Sequence, residues 1–202
     1  AMHDQAAVAD LLAVDLVPAA STCSNLPVAL CDGFEDVALK TTNWMASAVK
    51  GTVSIDSGRS FRGKSSLRLH LDPLAAGDSN QAGILNVQPP PSPSFSVRFF
   101  VFVPSSVPVQ QMGLGYIGNS VGLEARSDGR LSMNNSYPMP PVQMVSTVAL
   151  PRDRWSCLEV AVSNGVAVDI RISLDGIDLP ELHINHVGAS TISSFSLDQR
   201  FF

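Results

Sequence analysis

The residues with the most chemical reach are Arg68, His70, Arg98, Glu124, Arg126, Glu159, Asp169 and Arg171, which alternate with apolar residues along β-rich runs. Arginines interleaved with carboxylates offer bidentate donors of the geometry that sulfate, carboxylate and uronic-acid groups accept, so an anionic glycan is one ligand that would suit them. Arg68, His70, Arg98, Arg171 and Glu159 are the ligand-binding candidates. His70 is also suited to proton abstraction from a uronide, because an imidazole titrates near neutral pH. The competing reading places these residues on different sheets, where they solvate outer faces through weak ion pairs.

Other residue types carry less. His183 and His186 stand three apart, which on a strand sends them to opposite faces and speaks against a shared metal. Asp32, Glu35, Asp36, Asp72 and Asp78 are candidate oxygen ligands for a structural calcium, although no EF-hand-like loop contains them. Trp44 and Trp155 are the only tryptophans and aromatic residues make up 6% of the chain, a thin supply for stacking against neutral sugars; both are expected in the core. Three cysteines with no CxxC spacing allow at most one disulfide within the chain. Cys23 with Cys31 would close a short loop, whereas Cys31 with Cys157, the candidate pair, would staple distant segments and constrain the unfolded chain more. The alternative is three reduced, mostly buried thiols.

The elements that must hold these residues are strands. A chain of 202 residues with 45% hydrophobic and 15% charged residues suits one large domain or one plus an appendage, and it contains no apolar run long enough to span a bilayer as a helix. A net charge of -5 lacks the basic footprint of a nucleic-acid binder. Residues 1–26 read as an extension or linker with the only helical pattern, 4–19, stopped by Pro18; the domain proper is expected over 27–202. No secretory signal is visible. Period-two alternation marks Ser66 to Leu71, Phe95 to Val103 and Val166 to Leu174 as strands with one core face. Asp128-Gly129 and Asn164-Gly165 read as two-residue hairpin connections, while the proline-rich 88–94 and 137–141 belong to loops. Phe100 and Phe102 fall opposite the apolar face of their strand and must either lie under a loop or mark a binding or dimer surface. About twelve antiparallel strands in one domain need two sheets packed face to face, so the expected fold class is an all-β, antiparallel β-sandwich.

Several segments in order carry a resemblance: Leu30-Cys31-Asp32-Gly33-Phe34-Glu35 followed by Trp44, then Gly58 to Leu67, Phe95 to Pro104, Pro151 to Glu159, and Asp175-Gly176. This order resembles bacterial extracellular laminin G-like, or concanavalin A-like, jelly-roll domains, from about residue 30 to the C-terminus. The resemblance implies a convex and a concave sheet, ligands on the concave face or the rim loops, and a secreted or cell-surface setting. Such domains usually close with a further strand that carries acidic residues, whereas this chain ends Gln199-Arg200-Phe201-Phe202. Lyases of this fold pair a tyrosine acid with a histidine and a neutralising arginine or amide; Tyr116 and Tyr137 are the only tyrosines here and neither sits in a lyase motif. The ExDxxE strand of glucanases on this fold is absent. The expected function is therefore a non-catalytic recognition module for a glycan or a surface protein. A polysaccharide lyase or glycoside hydrolase, or a structural and oligomerising surface protein, are the alternatives.

Overall fold

The computed structural model describes residues 32–72, 80–86, 94–106, 111–118, 121–135, 142–187, 192 and 194–201. The expected extension at 1–26, with its helix, and the proline-rich loops lie largely or wholly outside them, as do Cys23, Cys31, Asp78 and Tyr137.

Fourteen strands are present among the described residues: β1 Trp44–Val49, β2 Gly51–Asp56, β3 Ser66–Leu71, β4 Asn80–Asn86, β5 Ser94–Phe102, β6 Met112–Ile117, β7 Val121–Ala125, β8 Arg130–Asn135, β9 Val142–Ala149, β10 Trp155–Asn164, β11 Ala167–Leu174, β12 Ile177–Asp178, β13 Ile184–Val187 and β14 Phe195–Phe201. A single 3-10 turn, Pro180–Leu182, separates β12 from β13. All pairings are antiparallel. One sheet has seven strands in the order β1-β4-β14-β6-β7-β8-β9, the second runs β12-β11-β10-β5 with β13 also on β11, and β2 and β3 form a separate hairpin. The fold is the expected all-β sandwich.

Alternation explains why the two large sheets meet. Along β10, Ser156, Leu158, Val160 and Val162 point inward and are buried, while Trp155, Cys157, Glu159 and Ala161 face out. On β11 the inward set is Val168, Ile170, Ile172 and Leu174. Facing them from the seven-stranded sheet are Ile117, Val121, Leu123, Leu131 and Met133. Phe99 and Phe195 meet across the interlayer, ring centroids 5.6 Å apart. Removing this much apolar surface from water is the main force closing the sandwich.

Both hairpin connections are one residue longer than the two-residue turns expected. Asn164 pairs with Val168, so three residues separate the last paired positions of β10 and β11, and the third of them, Ala167, already belongs to β11 through its pairing with Val187. After β7, Arg126 pairs with Arg130, and Gly129 takes φ +82° in a three-residue loop. That left-handed position is the one a three-residue hairpin requires, and glycine occupies it without a Cβ clash. Asp128 Oδ1 accepts the Arg130 N–H at 3.1 Å and holds the turn.

The loop between β2 and β3 covers one end of the second sheet's outer face. Phe61 stacks on Phe100 at 3.7 Å with rings 13° from parallel, and it meets Trp155 edge-on at 6.0 Å. The Arg59 guanidinium lies 3.9 Å from the centre of the Phe102 ring. The loop thus reaches both rings without burying them: Phe102 is half-buried under Arg59, and Phe100 stays 40% exposed beneath Phe61. Trp155, expected in the core, belongs to this outer cluster and is half-buried, whereas Trp44 is buried. Phe61→Ala is expected to wet the Trp155 indole and shift its fluorescence to the red in a Trp44→Phe background, because the ring against it is lost.

Candidate functional site

Strand register decides what each sheet shows to the outside, because directly opposed residues in an antiparallel pair share a face. Across the seven-stranded sheet one cross-strand row runs Met45, Leu85, Ser196, Tyr116, Gly122, Asn134, Gln143, one residue per strand. Six inter-strand gaps of about 4.8 Å make such a row roughly 29 Å long. One step along β7 and β8 on the same outward face lie Glu124 and its cross-strand partner Ser132.

Glu124 is the anomaly of this face. It points away from the apolar core yet is only 3% exposed. Its two oxygens each accept a 2.6 Å bond from a primary amide, Oε2 from Gln111 Nε2 and Oε1 from Asn134 Nδ2. No cation pairs with it among the described residues. Burying a carboxylate without a cation is costly, and the two short amide bonds are what the fold supplies in return. Gly122 makes room beside it. A Cβ there would lie 3.3 Å from the Tyr116 ring and 3.6 Å from Glu124 Oε1, so the absent side chain lets ring and carboxylate flank the same spot. Next along the face, Gln143 Oε1 accepts a 3.0 Å bond from Arg126 Nη1. The Ser132 hydroxyl is buried and has no hydrogen-bond partner. The floor is thus a buried carboxylate, and half-buried Tyr116 and Asn134 with exposed Gln111 and Gln143 stand around it.

The second sheet's outer face holds three of the five ligand-binding candidates. Arg98 and Glu159 are direct cross-strand partners, joined by Nε and Nη2 bonds of 2.9 and 2.6 Å to Glu159 Oε2, and the pairing raises the Arg98 pKa. Arg171 lies on the same face across β10, its Nε 3.1 Å from Asp169 Oδ1. Asp169 Oδ2 is 3.0 Å from His183 Nε2. Between them Ser94, Ser96, Ala161 and Ser163 floor a shallow open trough of about 540 Å³. The structure does not bring Arg68 and His70 to this face. They stand on the β2–β3 hairpin, Arg68 4.0 Å from Asp56 and His70 3.7 Å from Asp72. The outward arginines therefore meet carboxylates, and their charge is largely answered within the protein.

Hydrogen bonding to His183, and secondarily to Arg171, holds the Asp169 carboxyl below the usual carboxylate range. A depressed carboxyl contributes stability above its unfolded pKa, and that contribution is lost as pH falls through the lower folded value. His183→Ala is expected to move the Asp169 titration up towards the ordinary value, measured by carbon-detected NMR.

Cys157 is a free, half-buried thiol on the same outer face, and burial pushes its pKa up. Among the described residues, no group of three or more His, Cys, Asp or Glu lies together as a metal site. Asp32 accepts from Trp44 Nε1 at 2.9 Å, Glu35 from the Lys64 N–H at 2.8 Å, and Asp36 pairs with Lys40, so these acids tie the 32–36 segment to the body of the domain.

No protein-family model and no curated protein matches the chain. Solved structures do. An endo-beta-1,4-glucuronan lyase from the fungus Trichoderma reesei superimposes with a TM-score of 0.55 at 14% identity, over 77% of this chain and 79% of that one. The cellulose-induced protein Cip1 gives a TM-score of 0.58 at 17% identity, over 84% and 86% of the two chains. The chain has a concanavalin A-like jelly-roll fold. At these identities the likeness is one of fold, and it leaves the chemistry to the residues.

Proposed function

We propose that this chain is a carbohydrate-recognition β-sandwich that holds a glycan across the outward face of its seven-stranded sheet, around Glu124, Tyr116, Asn134 and Gln143. The carrying observation is the Glu124 carboxylate, buried on an outward face and held by two amides with no cation among the described residues. A fold that needed only stability would place an apolar or exposed residue there, because a buried charge weakens most scaffolds. Sugar hydroxyls are short, directional donors, and a preset carboxylate with amides around it is a natural partner for them. The Tyr116 ring adds an apolar surface for the C–H side of a sugar.

The arrangement favours binding over turnover. Both Glu124 oxygens are engaged by amides, which neither give nor take a proton near neutral pH, so the network fixes an acceptor rather than shuttling a proton. Fold neighbours that include a glucuronan lyase and a cellulose-induced protein support a glycan as the ligand class. A secreted or cell-surface setting accords with such a ligand. The test is a panel of neutral and acidic polysaccharides presented to the wild-type chain and to Glu124→Ala, read by affinity electrophoresis and by the appearance of new reducing ends. Binding that the substitution removes, without new reducing ends, is the expected result. New reducing ends from the wild type would place the chain among enzymes, and undiminished binding by Glu124→Ala would move the site elsewhere.

A further inference from the structure

We infer that the loop between β2 and β3 is a second contact, for an acidic polysaccharide, with Arg59 and Lys64 taking its sulfate or carboxylate groups and Phe61 the C–H side of a sugar ring. It lies over the outer face of the second sheet, away from Glu124. Residues 57–71 hold four of the thirteen Lys and Arg side chains, Arg59, Arg62, Lys64 and Arg68, and none of the eighteen Asp and Glu. In a chain of net charge -5 this is a local reversal of sign, and a basic run of this kind is suited to a polyanion. Arg59, Phe61, Arg62 and Lys64 are all exposed. Among the described residues no carboxylate forms an ion pair with Arg59 or Lys64, in contrast to Arg98 and Arg171. Arg59 lies over the Phe102 ring instead, and a ring face answers only part of a guanidinium's charge and leaves its N–H edges to an anion.

The loop is also held in one shape. Asp56 Oδ1 accepts the Gly58 N–H at 2.8 Å, the Ser60 hydroxyl donates to the Gly63 carbonyl at 3.1 Å, and the Ser66 hydroxyl donates to the Arg59 carbonyl at 2.7 Å. Glu35 Oε2 takes the Lys64 N–H at 2.8 Å. Little ordering is left to be done at the moment of binding. Phe61 lies flat on Phe100, with 39% and 40% of the two residues exposed, so the pair forms a fixed apolar platform and does not project to enter a bilayer. A membrane plane would also bring the acidic remainder of the chain against anionic headgroups, whereas a slender polysaccharide touches the basic loop alone.

The experiment measures binding of dextran sulfate, polygalacturonate and unsubstituted dextran by biolayer interferometry over a salt series, with wild type, Arg59→Ala/Lys64→Ala, Phe61→Ala and Arg171→Ala. Dextran and its sulfate share a backbone and differ in charge. The expected result is tighter binding of at least one acidic polymer than of dextran, weakened about tenfold by Arg59→Ala/Lys64→Ala, with a shallower salt dependence. Phe61→Ala is expected to weaken the same binding and leave the salt dependence unchanged, because it removes apolar contact and no charge. Arg171→Ala, whose charge Asp169 already answers, is expected to keep it within about twofold. An equal loss with Arg171→Ala shows diffuse attraction to the whole surface and overturns the assignment. So does binding of acidic polymers that ignores the loop substitutions, or no preference for an acidic polymer over dextran. Loop-dependent binding to phosphatidylserine vesicles or single-stranded DNA that exceeds binding to every acidic polymer overturns the choice of partner. The Glu124 reading stands or falls separately, on its own substitution.

Discussion

Glycan affinity should fall at least tenfold when Glu124 is replaced by alanine, with the fold retained as judged by far-ultraviolet circular dichroism. The substitution removes the acceptor shared by Gln111 Nε2 and Asn134 Nδ2, and with it the charge that any bound hydroxyl would meet. Hydrogen bonds to a charged group contribute about 1.5–3 kcal/mol, which alone corresponds to tenfold or more in affinity. A further loss adds to this. The freed amides can rotate toward solvent or toward each other, so the face is no longer preset and must be ordered at the moment of binding. Isothermal titration with the tightest glycan of the panel measures the loss; an affinity within twofold of the wild type would remove Glu124 from the site.

The largest loss of stability is expected from Leu158→Ala. Leu158 is fully buried at the middle of β10, the strand that pairs with both β5 and β11, opposite Phe99 on one side and Leu174 on the other. Truncation there leaves a cavity between two sheets that are each held by many hydrogen bonds and cannot collapse freely around it. Such changes cost about 2–5 kcal/mol. For a domain of this size each kcal/mol lowers Tm by about 2–4 °C, so a drop of the order of 10 °C in a thermal melt is the expected reading. A change of less than 2 °C would show that the interlayer at Leu158 is loosely packed.

The layers were legible in the sequence and the decisive site was not, and both outcomes have the same physical origin. Period-two alternation is a one-residue-resolution record of which side faces the core, so Ser66–Leu71 is found at its predicted bounds and Ala167–Leu174 within one residue of them. Turns were less certain because Asn-Gly and Asp-Gly fit both two- and three-residue connections, and only the pairing of Asn164 with Val168 decides between them. Alternation cannot tell one outward face from another. It marks Arg98, Glu159, Arg171, Glu124 and Arg126 alike as outward, and among them the guanidinium groups carry the more conspicuous chemistry. What separates Glu124 is burial on the outer side, where Gln111 and Asn134 reach it from the approach to β6 and from β8. The one local hint is Gly122, the outward neighbour two residues before the carboxylate, which leaves the space beside it open. Arg68 and His70 went to a separate hairpin because the β2–β3 pairing is closed on itself, which strand periodicity does not encode.

β14 lies in the middle of the seven-stranded sheet, hydrogen-bonded to β4 on one side and β6 on the other. Everything that frames Glu124 comes from the lead into β6 and from the meander of β6 to β9, built of neighbours in sequence, whereas joining that meander to β1 and β4 waits for residues 195–201. The surroundings of Glu124 can therefore take shape from contacts that close over short loops, which form fast. The sheet as a whole stays in two pieces until β14 inserts, with β4 and β6 each presenting an unsatisfied edge of the kind that recruits other chains. Until β14 is in place, the open edges of β4 and β6 compete for its backbone with any other strand within reach.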